Sequence, residues 1–172
     1  MSRFMKTLYL VGGAMGVGKT TTCRILRDRL DKSVFLDGDW CWDMHPFVVN
    51  EETKTLVEDN ICHMLNNFLH CSAFEHVVFC WVMHDQSIID AILSRVDTTD
   101  CKVVNVSLIC TEDALRQRLI RDVNNGVRTP DAIARAVQRL KLYRLVESHK
   151  VDVSYIPPEE AAERILALAA DE

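Results

Sequence analysis

Two rhythms of apolar and polar positions alternate along this chain. Short, β-rich apolar runs recur at 7–11, 34–36, 77–82, 103–109 and 151–155. Runs of that length bounded by turn residues predict strands buried on both faces. Between them the apolar positions take helical spacing. Over 19–30, Cys23, Leu26 and Leu30 share one side, and over 53–70, Leu56, Val57, Ile61, Met64, Leu65, Phe68 and Leu69 do the same. A further helix is predicted at 87–96. Thr111-Glu112-Asp113 supplies an N-cap and an acidic first turn for a helix to Val123, which Asn124-Asn125-Gly126 ends. Thr129 as N-cap and Pro130 as first helical residue open the next helix, and a last one runs over 158–170.

Strands and helices thus alternate without a repeat or a low-complexity linker. The pattern predicts an α/β fold in one domain spanning 1–172, with a five-stranded parallel sheet covered by helices on both faces. The length of 172 residues suits one well-buried domain of this kind. Ligands of such a sheet gather at the carboxyl ends of its strands.

Bulk charge and cysteine usage narrow the setting. A net charge of -5 offers no global basic field for a nucleic-acid backbone. No apolar stretch reaches the length of a membrane span, and residues 1–6 read as leading directly into the first strand. The seven cysteines contain no C-x-x-C pair, and several fall in apolar runs as reduced core cysteines do. The expectation is a cytoplasmic protein without nucleic-acid or membrane partners. Its oligomeric state is not legible.

The chemistry enters between the first strand and the first helix. Gly13, Ala14, Met15, Gly16, Val17, Gly18, Lys19 and Thr20 form a complete G-x-x-x-x-G-K-[ST] phosphate-binding loop, followed by Thr21. Glycines allow backbone N–H groups to close around phosphate oxygens, and the helix N-terminus adds its positive dipole end. Lys19 then reaches the β- and γ-phosphates of ATP, and the Thr20 hydroxyl sits on Mg²⁺. No guanine-reading N-K-x-D motif occurs, although the sequence does not decide between ATP and GTP.

Asp37-Gly38-Asp39 closes the second strand. A hydroxyl attacking a γ-phosphate needs positioning and a proton acceptor, and a carboxylate supplies both. A second carboxylate can hold a water of the metal shell. The spacing alone leaves open which aspartate does which. The third strand carries no aspartate, so the acids of a phosphotransfer site would come from the second strand. Arg116, Arg118 and Arg121 precede the Asn124-Asn125-Gly126 break, and Arg128 follows it. Guanidinium groups suit the charge that phosphoryl transfer spreads over three oxygens, whereas Arg116 reads as part of a solvated helix face.

These elements together resemble the small P-loop kinases: nucleoside monophosphate, shikimate, gluconate and adenylylsulfate kinases and antibiotic phosphotransferases of similar size. Asp37-Gly38-Asp39 is similar to the Asp-x-Asp of shikimate and adenylylsulfate kinases. Arg128-Thr-Pro-Asp131 and Arg139-Leu-Lys-Leu-Tyr143 resemble the elements that follow the lid of adenylate kinases. The resemblance implies a P-loop fold with a short lid at about 121–130 and an acceptor region at about 37–75. It assigns Asp39 to the acceptor and Asp37, with Thr20, to the metal. Lys19, Arg121, Arg128 and Arg139 become the phosphate-handling set, and Val153-Ser154-Tyr155 is expected near the base.

The acceptor side departs from the nucleotide kinases of the group. No arginine lies between Arg29 and Arg95, whereas Asp37, Asp39, Asp43, Glu51, Glu52, Glu58 and Asp59 face the single Lys54 across 37–59. Trp40, Trp42, His45 and Phe47 are interleaved with them. The mix suits a polyol or cationic acceptor better than a second phosphate; equally, the aromatics could be packing residues and the acids a solvated face. His84 is a further candidate contact. The acceptor-loop glycines of shikimate kinases are missing at Cys80-Trp81-Val82-Met83-His84, which departs from shikimate as the acceptor. The expected activity is ATP- and Mg²⁺-dependent transfer of phosphate to a hydroxyl of a small, non-phosphorylated molecule. The alternatives are a nucleotide or nucleoside kinase, and a nucleotide-binding regulatory module or slow NTPase.

Overall fold

The computed structural model describes residues 5–171, so the reading of the first four residues lies outside it. Five parallel strands form one sheet in the order β2-β3-β1-β4-β5. They are β1 (Lys6–Gly13), β2 (Ser33–Asp37), β3 (His76–Trp81), β4 (Cys101–Ile109) and β5 (His149–Asp152). The helices are α1 (Lys19–Arg29), α2 (Glu51–His70), α3 (Gln86–Leu93), α4 (Glu112–Asn124), α5 (Asp131–Leu140) and α6 (Pro158–Asp171). Short 3-10 turns follow β2 at Gly38–Trp42 and α5 at Lys141–Arg144.

The alternation within β1 explains the layering. Tyr9 and Val11 point to one face, where Cys23 and Leu26 of α1 and Ala161 and Ile165 of α6 cover them. Leu8 and Leu10 point to the other, against Val57, Ile61 and Leu65 of α2 and Ile89 and Ile92 of α3. Both faces are therefore apolar, as continuous β-rich runs require in a parallel sheet. A third apolar group joins Leu115 and Leu119 of α4 to Ala136, Val137 and Leu140 of α5, together with Ala14 and Tyr143. Through it the helix pair carrying the arginines is anchored on the back of the glycine-rich loop.

Two local expectations are corrected. The fifth strand runs at His149–Asp152 rather than at 151–155. The Asp152 carboxylate accepts from the backbone N–H and hydroxyl of Ser154, at 2.9 and 2.6 Å, and this turn stops the extended run. Thr129 does not cap α5. The helix begins at Asp131 with Pro130 before it and no side-chain cap, because the Thr129 hydroxyl is drawn to the Asp131 carboxylate, a charged acceptor. By contrast, Thr111 caps α4 as the sequence implies, accepting from the Ala114 N–H at 3.2 Å.

Candidate active site

The end of β1 turns into α1 through the glycine-rich loop, at the point where β1 lies between β3 and β4. Gly16 and Gly18 have φ of 82° and 103°, the left-handed region that favours glycine. At Gly16 space forbids a side chain as well: a Cβ would stand 2.5 Å from Cδ2 of Leu119. The loop's tight curve is thus fixed by the α4 side chain behind it. At its far end, α1 has neither a capping side chain nor an acidic residue in its first turn. Its first N–H groups consequently have no side-chain acceptor and stand ready for an anion.

Lys19 folds back over the loop, donating to the carbonyls of Gly13 at 2.8 Å and Ala14 at 3.1 Å. Burial lowers its pKa, and the nearby Cys80, Asp39 and Asp37 offset part of that shift. A desolvated ammonium held only by carbonyls, beside uncapped helix N–H groups, is suited to a polyphosphate. Thr20 donates its hydroxyl to Asp37 Oδ2 at 2.7 Å. With its proton so engaged, the Thr20 oxygen keeps its lone pairs for a cation, and the Asp37 carboxylate stands behind it. These groups fit Mg²⁺, although no cluster of three or more His, Cys, Asp or Glu able to hold a metal occurs among the described residues. Phosphate and water would supply the remaining ligands.

The two aspartates are sharply distinguished. Asp37 is buried and accepts from Thr20 and from the Asp39 backbone N–H at 3.0 Å. Asp39 lies on the wall of a cavity of about 1330 Å³. Its side chain opens to that cavity, yet the packing around the carboxyl raises its pKa, with the Asp37 charge adding to the effect. Lys19, a hydrogen bond from the Trp81 indole and the Arg128 charge pull the other way. Asp85, which follows β3, caps α3, accepting from the Ser87 N–H at 2.8 Å and its hydroxyl at 2.7 Å.

Most of the expected set meets in this cavity. Met15, Gly16, Gly18, Lys19, Thr20 and Thr21 of the loop and the start of α1 line it, with Asp39 and Trp42 from the turn after β2, and Arg121, Arg128 and Arg139 from α4, α5 and their connection. Gly13, Ala14 and Val17 are buried behind the loop surface. Arg128 is held by Asp122, Nε to Oδ2 at 2.9 Å. Arg121 and Arg139 have no hydrogen bond or ion pair among the described residues, leaving both guanidinium groups available. Arg116 pairs with Glu112 at 2.8 Å on the outer face, as a solvated position should.

Two of the acceptor-side candidates stand outside this cavity. Trp40 does not line the cavity; its ring packs edge-on against Phe35 at 5.3 Å, because the 3-10 turn after β2 rotates it away from Trp42. His45 is exposed in the loop beyond that turn and does not line the cavity either. The candidate His84 does line it, and so do Trp81, Ile88, Lys54 and Glu58, together with Arg135. The helical spacing of Arg135 and Arg139, four apart, was the signal that could have placed Arg135 on the same face. Trp81 and His84 sit at the carboxyl end of β3, where an α/β sheet gathers its ligands.

Arg118 has a different task. Its guanidinium donates to the carbonyl of Val17 at 3.0 Å and to that of Val153, tying the loop to the residue after β5. Beside it lies a second cleft of about 220 Å³ between Gly16, Gly18, Arg121, Val153, Ile156 and Pro158. It borders the expected position of the base.

A family model described as an AAA domain matches residues 10–141, which include the glycine-rich loop, both aspartates and the arginine-bearing helices. The chain belongs to this family. No curated protein matches it in sequence. Among solved structures it is similar to a gluconokinase from Sinorhizobium meliloti 1021, at 19% identity and TM-score 0.71, over 98% of this chain and 94% of that one. A tunicamycin resistance protein of Deinococcus radiodurans matches at 17% identity and TM-score 0.71, over 95% of both chains. Shikimate kinase from Acinetobacter baumannii, in complex with shikimate, matches at 23% identity and TM-score 0.64, over 97% of this chain and 94% of that one. These likenesses establish the fold: a five-stranded parallel sheet with helices on both faces, as in small P-loop kinases.

Proposed function

We propose that the protein is an ATP-dependent phosphotransferase that moves the γ-phosphate to a hydroxyl of a small, non-phosphorylated acceptor. The observation that carries this reading is the placement of Asp39: a carboxylate of raised pKa in the same cavity as Lys19, under the influence of Arg128. A bare nucleotide-binding module has no use for a proton acceptor at that point, whereas a kinase requires one.

Lys19 and the first N–H groups of α1 bind the phosphate chain, and Arg121, Arg128 and Arg139 take up the charge that develops during transfer. Thr20 and Asp37 would hold Mg²⁺, which when bound neutralises phosphate charge. Asp39 orients the acceptor hydroxyl and receives its proton. The cleft between Gly16 and Pro158 suits the base. The gluconokinase, shikimate kinase and tunicamycin resistance protein of similar fold lend support to a small acceptor. The reading places the protein in the cytoplasm and involves no nucleic-acid or membrane partner, in keeping with the net charge of -5. No helix among the described residues is long and apolar enough to cross a membrane.

The test is ADP release with ATP and Mg²⁺ across nucleosides, nucleoside monophosphates, sugars, aminoglycosides and organic acids. Acceptor-dependent ADP formation supports the reading. Equal, slow ADP formation with and without every acceptor overturns it in favour of an NTPase. Preferred phosphorylation of a monophosphate restores the nucleotide-kinase alternative.

A further inference from the structure

Apart from the glycine-rich loop and the arginine-bearing helices, the cavity is walled by the segment after β2 and by α2, β3 and α3. Trp42 and Phe47 meet at 5.8 Å with their rings tilted by 57°, and Trp81 and Ile88 continue the apolar surface. Phe47 keeps 66% of its surface exposed, a large apolar face uncovered at the cavity rim. Asp39 and Glu58 of α2 line the same cavity.

Glu58 is half-buried and makes no hydrogen bond or salt bridge among the described residues; the guanidinium that acts on it is that of Arg95, which is already paired with Asp59. Lys54, one helical turn before it, does not neutralise it: the Lys54 ammonium pairs with Glu51 at 3.0 Å. Every arginine that lines the cavity comes from α4, α5 or the segment joining them. The wall therefore offers flat apolar surface and two carboxylates. Lys19 and Arg128 act on Asp39, whereas the only guanidinium acting on Glu58 among the described residues, that of Arg95, lies outside the cavity lining.

Each class of acceptor meets this wall differently. A polyol needs a hydrogen-bonding partner for nearly every hydroxyl, or it loses the hydration it gives up on entry. A carboxylated acceptor would place its charge against Glu58 and Asp39. A molecule with an apolar body covers Phe47, Trp42 and Trp81, and a protonated amine on it satisfies Glu58. Ammonium groups are also attracted to the faces of tryptophan rings.

We propose that the acceptor is an amphipathic amino alcohol, with an aromatic or aliphatic body, a protonated amine recognised by Glu58, and the receiving hydroxyl at Asp39. The inference rests on the phosphotransferase reading and narrows it to a substrate class. In the reaction the hydroxyl oxygen forms a bond to the γ-phosphorus, the bond from that phosphorus to the bridging oxygen of ADP breaks, and the hydroxyl proton passes to Asp39 and then to solvent. No oxidant or further reactant is needed.

The experiment uses three matched alcohols that differ in one substituent: para-aminomethylbenzyl alcohol, para-methylbenzyl alcohol and para-hydroxymethylbenzoate. Gluconate and shikimate serve as polyhydroxy carboxylates. ADP release gives kcat/KM for each, and quenching of tryptophan fluorescence, measured in a Trp40→Phe background so that only Trp42 and Trp81 emit, gives binding independently. The amine is expected to exceed the carboxylate by about ten-fold or more, since one charge reversal at contact in a partly dry site exceeds a ten-fold step. Glu58→Gln should lower the amine-to-carboxylate ratio several-fold, the remainder being the repulsion of the carboxylate by Asp39. That ratio is measured within each variant, so a general loss of folded protein does not mimic the effect. A preference for a carboxylate or a polyol, an unchanged ratio in Glu58→Gln, or an amine that neither quenches fluorescence nor is phosphorylated overturns the proposal. Quenching by the amine without ADP formation from any acceptor leaves the amine site standing and sinks the phosphotransferase reading instead.

Discussion

The Trp81 indole lies against Gly38, so closely that a Cβ on that glycine would stand 2.6 Å from both Cγ and Cδ1 of the ring. The middle residue of Asp37-Gly38-Asp39 is therefore a glycine for lack of room, and the ring that fills the room also hydrogen-bonds Asp39. Gly38→Ala should displace either the ring or the backbone that carries Asp39. Overpacking of this kind costs about 1–3 kcal/mol, which thermal unfolding would register. Misplacing the carboxylate should lower kcat by roughly a hundred-fold, because reacting groups tolerate little displacement, while ATP affinity is retained. A variant with lowered stability and an unchanged kcat would separate Trp81 packing from the chemistry.

Lys19→Ala should leave the fold intact and abolish transfer. Its ammonium contacts only the carbonyls of Gly13 and Ala14, and no packed core depends on it. Circular dichroism checks the fold and ADP release the activity. Normal turnover in a folded variant would remove the loop from the active site.

Thr20→Val removes one hydroxyl with two consequences. Asp37, buried to 6% exposure, loses the donor at 2.7 Å and keeps only the Asp39 N–H. Leaving a buried acceptor short of a partner costs about 1–3 kcal/mol. The Mg²⁺ concentration needed for half-maximal activity should also rise. Thr20→Ser, which keeps the hydroxyl, should restore both properties. If it restores stability alone, the Thr20 hydroxyl serves Asp37 and not the metal.

The fold was legible because its signals are local and repeated. Continuous apolar runs, a complete glycine-rich loop and the Thr111 cap each demand one conformation whatever surrounds them. Asp37 and Asp39 were legible as a pair, but their division of labour depends on Thr20, seventeen positions away in the sequence and 2.7 Å away in space. Trp40 and Trp42 show the limit most clearly. Two residues apart, they fall in one aromatic and acidic stretch that suits a pocket or packing equally, yet a 3-10 turn sends Trp42 to the cavity and Trp40 to Phe35. Trp81 and Glu58 come from β3 and α2 and reach the same cavity only through the sheet order, for which no short-range pattern stands proxy.

Acidification should weaken the fold before the carboxylates titrate. Burial lowers the pKa of His76 and of His84, and each has a buried Nδ1 without a partner. In the unfolded chain a histidine takes up a proton near pH 6.5, whereas the folded protein takes it up only at lower pH. Stability therefore falls as pH drops below about 6.5, towards the lowered folded value. Denaturant titrations at neutral and mildly acidic pH should show this slope. His76→Phe, which keeps a ring beside Tyr9, should flatten it; an unchanged slope would mean that His76 titrates alike in both states.

Asp39→Asn provides the sharpest division between a kinase and a bare nucleotide binder. The change keeps the size and one acceptor oxygen but removes the charge and the ability to take a proton. Turnover should fall by a factor of about 10²–10⁴, the usual range for loss of a general base, and ATP affinity should stay close to that of the parent. The pH profile adds a signature that a structural role would not produce. Burial and the Asp37 charge raise the Asp39 pKa, and the base acts only when ionised. Activity should therefore rise with pH through a midpoint above the ordinary aspartate value of about 3.9, and Asp39→Asn should lack that limb. The residual rate of the variant should vary little over the same range. Acceptor-independent ATP hydrolysis as the sole activity, unaltered by Asp39→Asn at any pH, would point to the regulatory module, because no hydroxyl would then be giving its proton to Asp39.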